Sequence, residues 1–481
     1  MYSMSTRTKE VTKVALYSLL ILGLGVLATA CSNRNTTSNG TSSGVQIRIW
    51  RTGQSEDVLK SPISSFVSKN SSANLIVTYN ERSIDTYELD ALKSLGARTG
   101  PDVWSIPIDW LGDHIPRIQN LPPNYFFPVD DEGKRATSGP TPAQAVKEFY
   151  PEGIAEQIIA DDGENVLGLP MNVDSLRLYY NPELFEAAVN DFRTSKGENI
   201  KSEELTPVEQ LLSAPPESWA KLVEMEKYIT KLDGNNVLRS TIALGSADNI
   251  SQSSNILSLL MLQNGGEIVG VDRKRALFHI PTTTAGGKDL SPGSVALDFF
   301  TSFSNPAKTA YTWNASMPQD IDAFGQGRVA MVIAFSDFGK QLRIKYPRFS
   351  FEEAPVPQNS IVNDPVNLIT FSLETVTKTA DNSAAAFAFL PYYTGVENAR
   401  DVAGESGLFS PFKTDLTPQS DNAFAKQVLT GKSIYKRSRT QFDATFRQMI
   451  VNVSQNGMTA DKAVDAGADR INTLLRADDQ L

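Results

Sequence analysis

Val45-Gln46-Ile47-Arg48-Ile49-Trp50 sets the grammar of this chain. Apolar and polar side chains alternate with period two, the pattern of a half-buried strand. Residues 61–69 follow as a short helix with Ile63, Phe66 and Val67 on one side. Leu75-Ile76-Val77-Thr78-Tyr79 reads as a second strand. Asp85 and Glu88 have the spacing of a capping box, and the helix they open carries Leu89, Leu92 and Leu95. Gly100-Pro101 breaks the chain, and Asp102-Val103-Trp104-Ser105-Ile106 makes a third strand. Strand, helix, strand, helix, strand predicts an α/β fold: a parallel sheet with helices on its faces.

The same grammar restarts downstream. Asp174-Ser175-Leu176-Arg177-Leu178-Tyr179-Tyr180-Asn181 reads as a strand that stops at Pro182. A helix is expected over 219–232, with Leu222, Met225 and Ile229 on one face, and a strand over 241–244. Residues 256–263 are apolar nearly all round, which predicts a buried helix stopped by Asn264-Gly265-Gly266. Residues 328–335 and 366–373 are further strands. Helices are expected over 383–389, 440–455 and 459–475, with Asp443 and Arg447 spaced to pair along the second. Polar or Pro/Gly-rich insertions fall at 130–142, 190–215 and 269–293. Two α/β units predict two lobes, and no internal repeat is present.

Upstream of Val45 the composition changes twice. Arg7, Lys9 and Lys13 precede the apolar run 14–28, the order of a secretory signal peptide. The run is short for a membrane span of about 20 residues. It ends Leu27-Ala28-Thr29-Ala30-Cys31, and Cys31 is the single cysteine of 481 residues. This ending resembles the lipobox of bacterial lipoproteins, with Ala28 where that family usually has Leu. The resemblance implies a signal peptide over 1–30, acylation of Cys31 and a flexible tether over 31–44. That tether is almost entirely Ser, Asn, Thr and Gly, a composition that cannot bury apolar surface.

Composition narrows the function classes. The chain is 41% hydrophobic and 21% charged, ordinary for a globular protein, and its length suits two or three domains. A net charge of −10 opposes a broad grip on nucleic acid. One cysteine rules out an intrachain disulfide and a thiolate metal cluster. His114 and His279 are the only histidines, so a His-based zinc site would need carboxylates for most ligands. Both read as surface or packing residues, and no metal or cofactor is expected. Gly431-Lys432-Ser433 lacks the first glycine of a P-loop, since Lys426 stands there. Gly404-Glu405-Ser406-Gly407 lacks the spacing of a nucleophile elbow.

Several segments, taken in order, resemble the extracellular solute-binding proteins of ABC importers, in the carbohydrate group that includes maltose-binding protein. The first strand ends in an aromatic, Trp50. Gly100-Pro101-Asp102-Val103 is similar to the family's P-D-V strand entry. The most specific stretch is Gly168-Leu169-Pro170-Met171-Asn172-Val173-Asp174 followed by Leu178-Tyr179-Tyr180-Asn181. Pro216-Glu217-Ser218-Trp219 is similar to the P-x-T-W helix start, and 324–331 to the F-x-x-G-x-A-A-M segment. After Met331 many relatives have Gly and Trp, where this chain has Ile333-Ala334-Phe335-Ser336-Asp337.

The resemblance implies two α/β lobes joined by a hinge, with ligand bound in a cleft between them. It assigns residues 45–169 plus 336–378 to lobe one and 170–335 plus 379–481 to lobe two. It implies no catalysis, a carbohydrate ligand, a partnership with the permease subunits of the importer, and a monomer held on the extracytoplasmic face of the membrane by its lipid. A sugar has apolar C–H faces and a rim of hydroxyls, so its site combines flat aromatics with Asp, Asn, Glu or Arg. The candidates are Trp50, Asp109, Trp110, Asn172, Asp174, Tyr180, Trp313 and Phe335. Asp109 and Trp110 follow a strand, where ligands gather in open α/β sheets. Trp313 sits in the polar loop Tyr311-Thr312-Trp313-Asn314. Trp104 and Trp219 are expected in the core. Two alternatives remain open: a ferric-ion binder of related fold, using Tyr179-Tyr180 and Tyr392-Tyr393, and a lipid-anchored glycoside hydrolase with paired carboxylates.

Overall fold

The computed structural model describes residues 44–53, 55–130, 134–197, 200–283, 289–359, 365–419 and 422–476. Cys31, the apolar segment before it and residues 32–43 of the tether lie outside them. The chain forms two compact units. The first takes residues up to Val173 together with Thr370–Asp421, the second Asp174–Ile369 together with Asn422–Leu481.

In the first unit the expected parallel sheet is present. Strand Val45–Thr52 pairs in parallel with Leu75–Arg82 on one side and with Val103–Pro107 on the other. Strand Ile369–Thr377 then runs antiparallel to Val103–Pro107, with Glu374 opposite Ser105. Strands Ile118–Gln119 and Leu169–Ser175 also pair with it. Gly168 explains the glycine of the most specific stretch. A Cβ there would lie 2.5 Å from the Glu374 carbonyl, so only glycine lets the two strands approach. Helix Ile84–Gly96 buries Tyr87, Ala91 and Leu95. Its N-cap is Ser83, two residues before the start of the expected box, and Glu88 instead meets His114 Nε2 at 2.9 Å. His114 is a packing residue, its ring 4.8 Å from that of buried Trp104.

In the second unit the sheet order is Glu352–Pro355, Arg177–Tyr180, Val329–Ala334, Asn236–Ile242, Lys231–Asp233. Val329–Ala334 is parallel to Asn236–Ile242 and antiparallel to Arg177–Tyr180. All six residues of Val329–Ala334 are buried, matching its unbroken apolar sequence. Helix Ser253–Gln263 is buried almost all round, with Ile256, Leu257, Leu259 and Met261 at 0% exposure. Each such side chain contributes about 1.5–3 kcal/mol of transfer free energy. Helices Arg439–Ser454 and Ala460–Arg476 pack against each other, and Phe442 stacks on Phe446 at 5.2 Å. Asp443 bonds Lys436 Nζ at 2.7 Å, a partner nearer the helix start than the expected Arg447.

The division of the chain differs from the expected lobes in three segments, the shortest being residues 170–173, which belong to the first unit. Residues 336–369 belong to the second unit, because strand Glu352–Pro355 pairs antiparallel with Arg177–Tyr180. Residues 379–421 belong to the first, because helix Ser383–Tyr393 packs on Lys60–Lys69. The Phe66 ring there lies 5.2 Å from Phe389 and 5.1 Å from Tyr392. The insertion expected over 190–215 is largely helical. Helix Pro182–Lys196 runs into it and Ser202–Leu211 lies inside it.

Candidate functional site

The three parallel strands of the first unit end side by side at Thr52, Arg82 and Pro107, and these ends carry its candidate residues. Trp50 is buried, at 6% exposure. Thr52 lies opposite Arg82 in register, and cross-strand neighbours share a face with residues two apart. Arg82 therefore stands on the Trp50 side, its guanidinium carbon 4.0 Å from the indole centroid. Arg51 points the other way, into the core. It forms a buried ion pair with Glu374, which also accepts Ser105 Oγ at 2.9 Å. Burial pulls the Arg51 pKa down, and the Glu374 carboxylate together with Tyr393 and Tyr79 more than reverses it. The Tyr87 hydroxyl lies 2.7 Å from the Trp50 carbonyl and 2.8 Å from that of Ser105. Its ring is 6.1 Å from that of Trp110. Tyr87 thus braces both aromatic candidates of this unit. Asp109 is the middle residue of the turn Ile108–Trp110 and is half-buried, while Trp110 is buried. Asn172 is buried in strand Leu169–Ser175.

In the second unit Asp174 and Phe335 meet. Phe335 caps helix Ser336–Lys345 with extended backbone but no side-chain bond. Asp174 supplies that bond from across the fold, its Oδ2 accepting Ser336 N at 2.9 Å and Ser336 Oγ at 2.7 Å. Its Oδ1 accepts Ser175 N at 2.8 Å and faces Arg177 Nη2 at 3.4 Å. Arg177 continues to Glu353 at 2.7 Å. Burial pushes the Asp174 carboxyl up, against the opposing pull of Arg177 and the Ser336 donors. Both oxygens are committed to protein groups, so Asp174 positions the half-buried Phe335 and Ser336.

Two candidates lie elsewhere. Tyr180 pairs with Met331, whereas Arg177 pairs with Ala334. It is thus three residues, about 10 Å, down the sheet from Ala334, the last strand residue before Phe335. There it bonds Glu352 and lines an open groove of about 560 Å³ with Phe185 and Leu212. Burial and then Glu352 push its phenol up to about 12. Trp313 corrects its expected role. It has 0% exposure and donates Nε1–H to Asn249 Oδ1 at 2.9 Å. The polar neighbours that suggested an exposed loop instead tie it inward, since Thr312 Oγ1 accepts Thr241 N at 2.8 Å. Trp219 is buried as expected and donates to Gln263 at 2.6 Å.

The tyrosine pairs do not form a metal cradle. Tyr179 is buried and donates to the Phe335 carbonyl, Tyr180 bonds Glu352, and Tyr393 is packed in the core of the first unit. Among the described residues no three His, Cys, Asp or Glu gather as metal ligands. Arg82, Ser336 and Arg177 were not singled out from sequence. Arg82 could have been, because it ends a strand parallel to the one ending in Trp50-Arg51-Thr52.

No curated protein matches the chain by sequence. Solved structures of similar fold do. The cyclic alpha-maltosyl-1,6-maltose binding protein from Arthrobacter globiformis is 16% identical with a TM-score of 0.66, covering 90% of this chain and 99% of that one. The sugar-binding protein MalE from Xanthomonas citri is 16% identical with a TM-score of 0.63, covering 90% and 97%. The GacH receptor of Streptomyces glaucescens, solved unliganded and with acarbose, is 16% identical with a TM-score of 0.60, covering 90% and 99%. The bacterial extracellular solute-binding protein family matches residues 75–428, well over half of the chain. The chain belongs to that family of bacterial extracellular solute-binding proteins, which bind and are not enzymes.

Proposed function

We propose that this protein is the lipid-anchored substrate-binding component of an ABC importer, which takes up a sugar or oligosaccharide and passes it to the membrane permease. Family membership carries the solute-binding part of this reading. The carbohydrate part is supported by the side chains at the ends of the parallel strands, where an open α/β sheet takes its ligands. There Arg82, stacked on the buried Trp50, and the half-buried Asp109 supply a charged donor and an acceptor beside aromatic side chains. The similarly folded cyclic alpha-maltosyl-1,6-maltose binding protein and the GacH receptor, solved in complex with acarbose, agree with such a site. Asn172 joins this proposed set on the first unit, and on the second unit, taken by itself, Phe335 and Ser336 are the proposed contacts, with Asp174 acting through Ser336.

Anchoring rests on Cys31 and the Ser/Asn/Thr/Gly stretch after it. The hydrolase and ferric alternatives gain nothing from the site. A thermal-shift screen against a carbohydrate panel tests the reading. A bound sugar raises the melting temperature by mass action and is recovered unchanged. No shift with any sugar, or turnover of the sugar, overturns it.

A further inference from the structure

Arg82 differs from the other arginines that line the two sheets. Arg48 is paired with Asp102, Arg51 with Glu374, and Arg177 with Glu353 and Asp174. Arg82 is half-buried, yet its Nε is enclosed without a hydrogen-bond partner, and no carboxylate among the described residues pairs with it. The neighbouring Glu81 is exposed and points to the opposite side of the strand. What holds Arg82 is the indole of Trp50, 4.0 Å beneath its guanidinium.

A half-buried cation without a counter-ion carries an uncompensated desolvation cost. Stacking on an indole recovers part of it and fixes the guanidinium plane. The stack also covers the Trp50 face that a sugar ring would need. The pair therefore offers a ligand a planar fork of N–H donors on the terminal nitrogens, oriented in advance. That fork matches a carboxylate or sulfate oxygen pair, and such charge-assisted bonds are about twice as strong as neutral ones.

We propose that Arg82, laid flat on Trp50, receives an anionic group of the ligand, so that the solute is an acidic carbohydrate bearing a carboxylate or a sulfate ester. This rests on the carbohydrate reading above. Trp50 then acts as the platform for Arg82.

Calorimetric titration of the full chain against three panels of short oligosaccharides separates the possibilities: uronate-containing, sulfated, and neutral. The expected result is an acidic saccharide bound at least ~10-fold more tightly than its neutral counterpart of the same length and linkage. A preference for uronates assigns the anion as carboxylate, and a preference for sulfated sugars assigns it as sulfate ester. Arg82→Met should abolish the preference while leaving ligand-free melting nearly unchanged. Arg82→Lys, which keeps the charge and loses the fork, should retain only part of it. Neutral sugars bound as tightly as acidic ones overturn the proposal and leave the carbohydrate reading standing. So does a preference that survives Arg82→Met. Binding to none of the three panels overturns both.

Discussion

Glu226 is a single buried group whose protonation should make stability depend on pH. It lies in helix Trp219–Ile229 at 3% exposure, and neither carboxyl oxygen has a hydrogen-bond partner. Burial raises its pKa from 4.5 to about 8. The folded chain therefore keeps a proton that the unfolded chain loses above pH 4.5. The stability this proton confers is complete below pH 4.5 and is lost as pH rises towards 8. Glu226→Gln should match the parent at pH 5 and exceed it by roughly 1–3 kcal/mol at pH 8.5, read from melts at both values. A constant difference across that range would assign the effect to packing. Trp313 makes a second case at this scale. Its ring fills a core site, so Trp313→Ala should cost about 3–5 kcal/mol of stability by chemical denaturation. Wild-type stability would show that the site refills. The residue types around Trp313 misled because hydroxyls and amides in sequence were read as solvent contacts. Here Thr312 and Asn249 spend them on the core.

Among elements, those with a local periodic signal were legible and those held by distant partners were not. Strands Val45–Thr52, Leu75–Arg82 and Val103–Pro107 and their parallel order follow from alternation and from the helices between them. The expected strand over 174–181 is instead two, Leu169–Ser175 and Arg177–Tyr180, because Leu176 N turns to the Leu368 carbonyl. Helix Val396–Ser406 left little signal, since the face it buries is made of small and polar residues, Asn398, Ala399, Val402 and Ala403. The cap of helix Ser336–Lys345 was invisible, because its acceptor is Asp174, 162 residues earlier. Asp174→Ala should remove that cap, at ~0.5–2 kcal/mol, and strip one partner from Arg177. Asp174→Asn keeps an acceptor for Ser336 N and should recover part of the loss. Denaturant melts of the two variants check this, and equal stability of both with the parent would show that the cap contributes nothing.

At the scale of the molecule, the chain passes between its two units after Val173, after Ile369 and after residue 421. Two units and an α/β class were readable from the repeated strand–helix grammar. The assignment of 336–369 and 379–421 was not. It depends on which sheet Glu352–Pro355 joins and which helix Ser383–Tyr393 packs on, and neither pairing leaves a local trace. Candidate residues could be named by type at strand ends, as with Trp50 and Asp109, but not by orientation, as Arg82 shows. The proposed lipid anchor also belongs to this scale. Cys31→Ser should yield an uncleaved or mislocalised precursor, checked by membrane fractionation and intact mass. Wild-type protein recovered processed but unlipidated would contradict the anchor. The central claim, that this chain binds a carbohydrate and does not transform it, is tested most directly by isothermal titration calorimetry of the full chain against neutral and acidic oligosaccharides, with the sugar analysed afterwards. The predicted result is saturable binding of one sugar per chain with that sugar recovered intact. Absence of heat with every carbohydrate, or recovery of cleaved sugar, would contradict it.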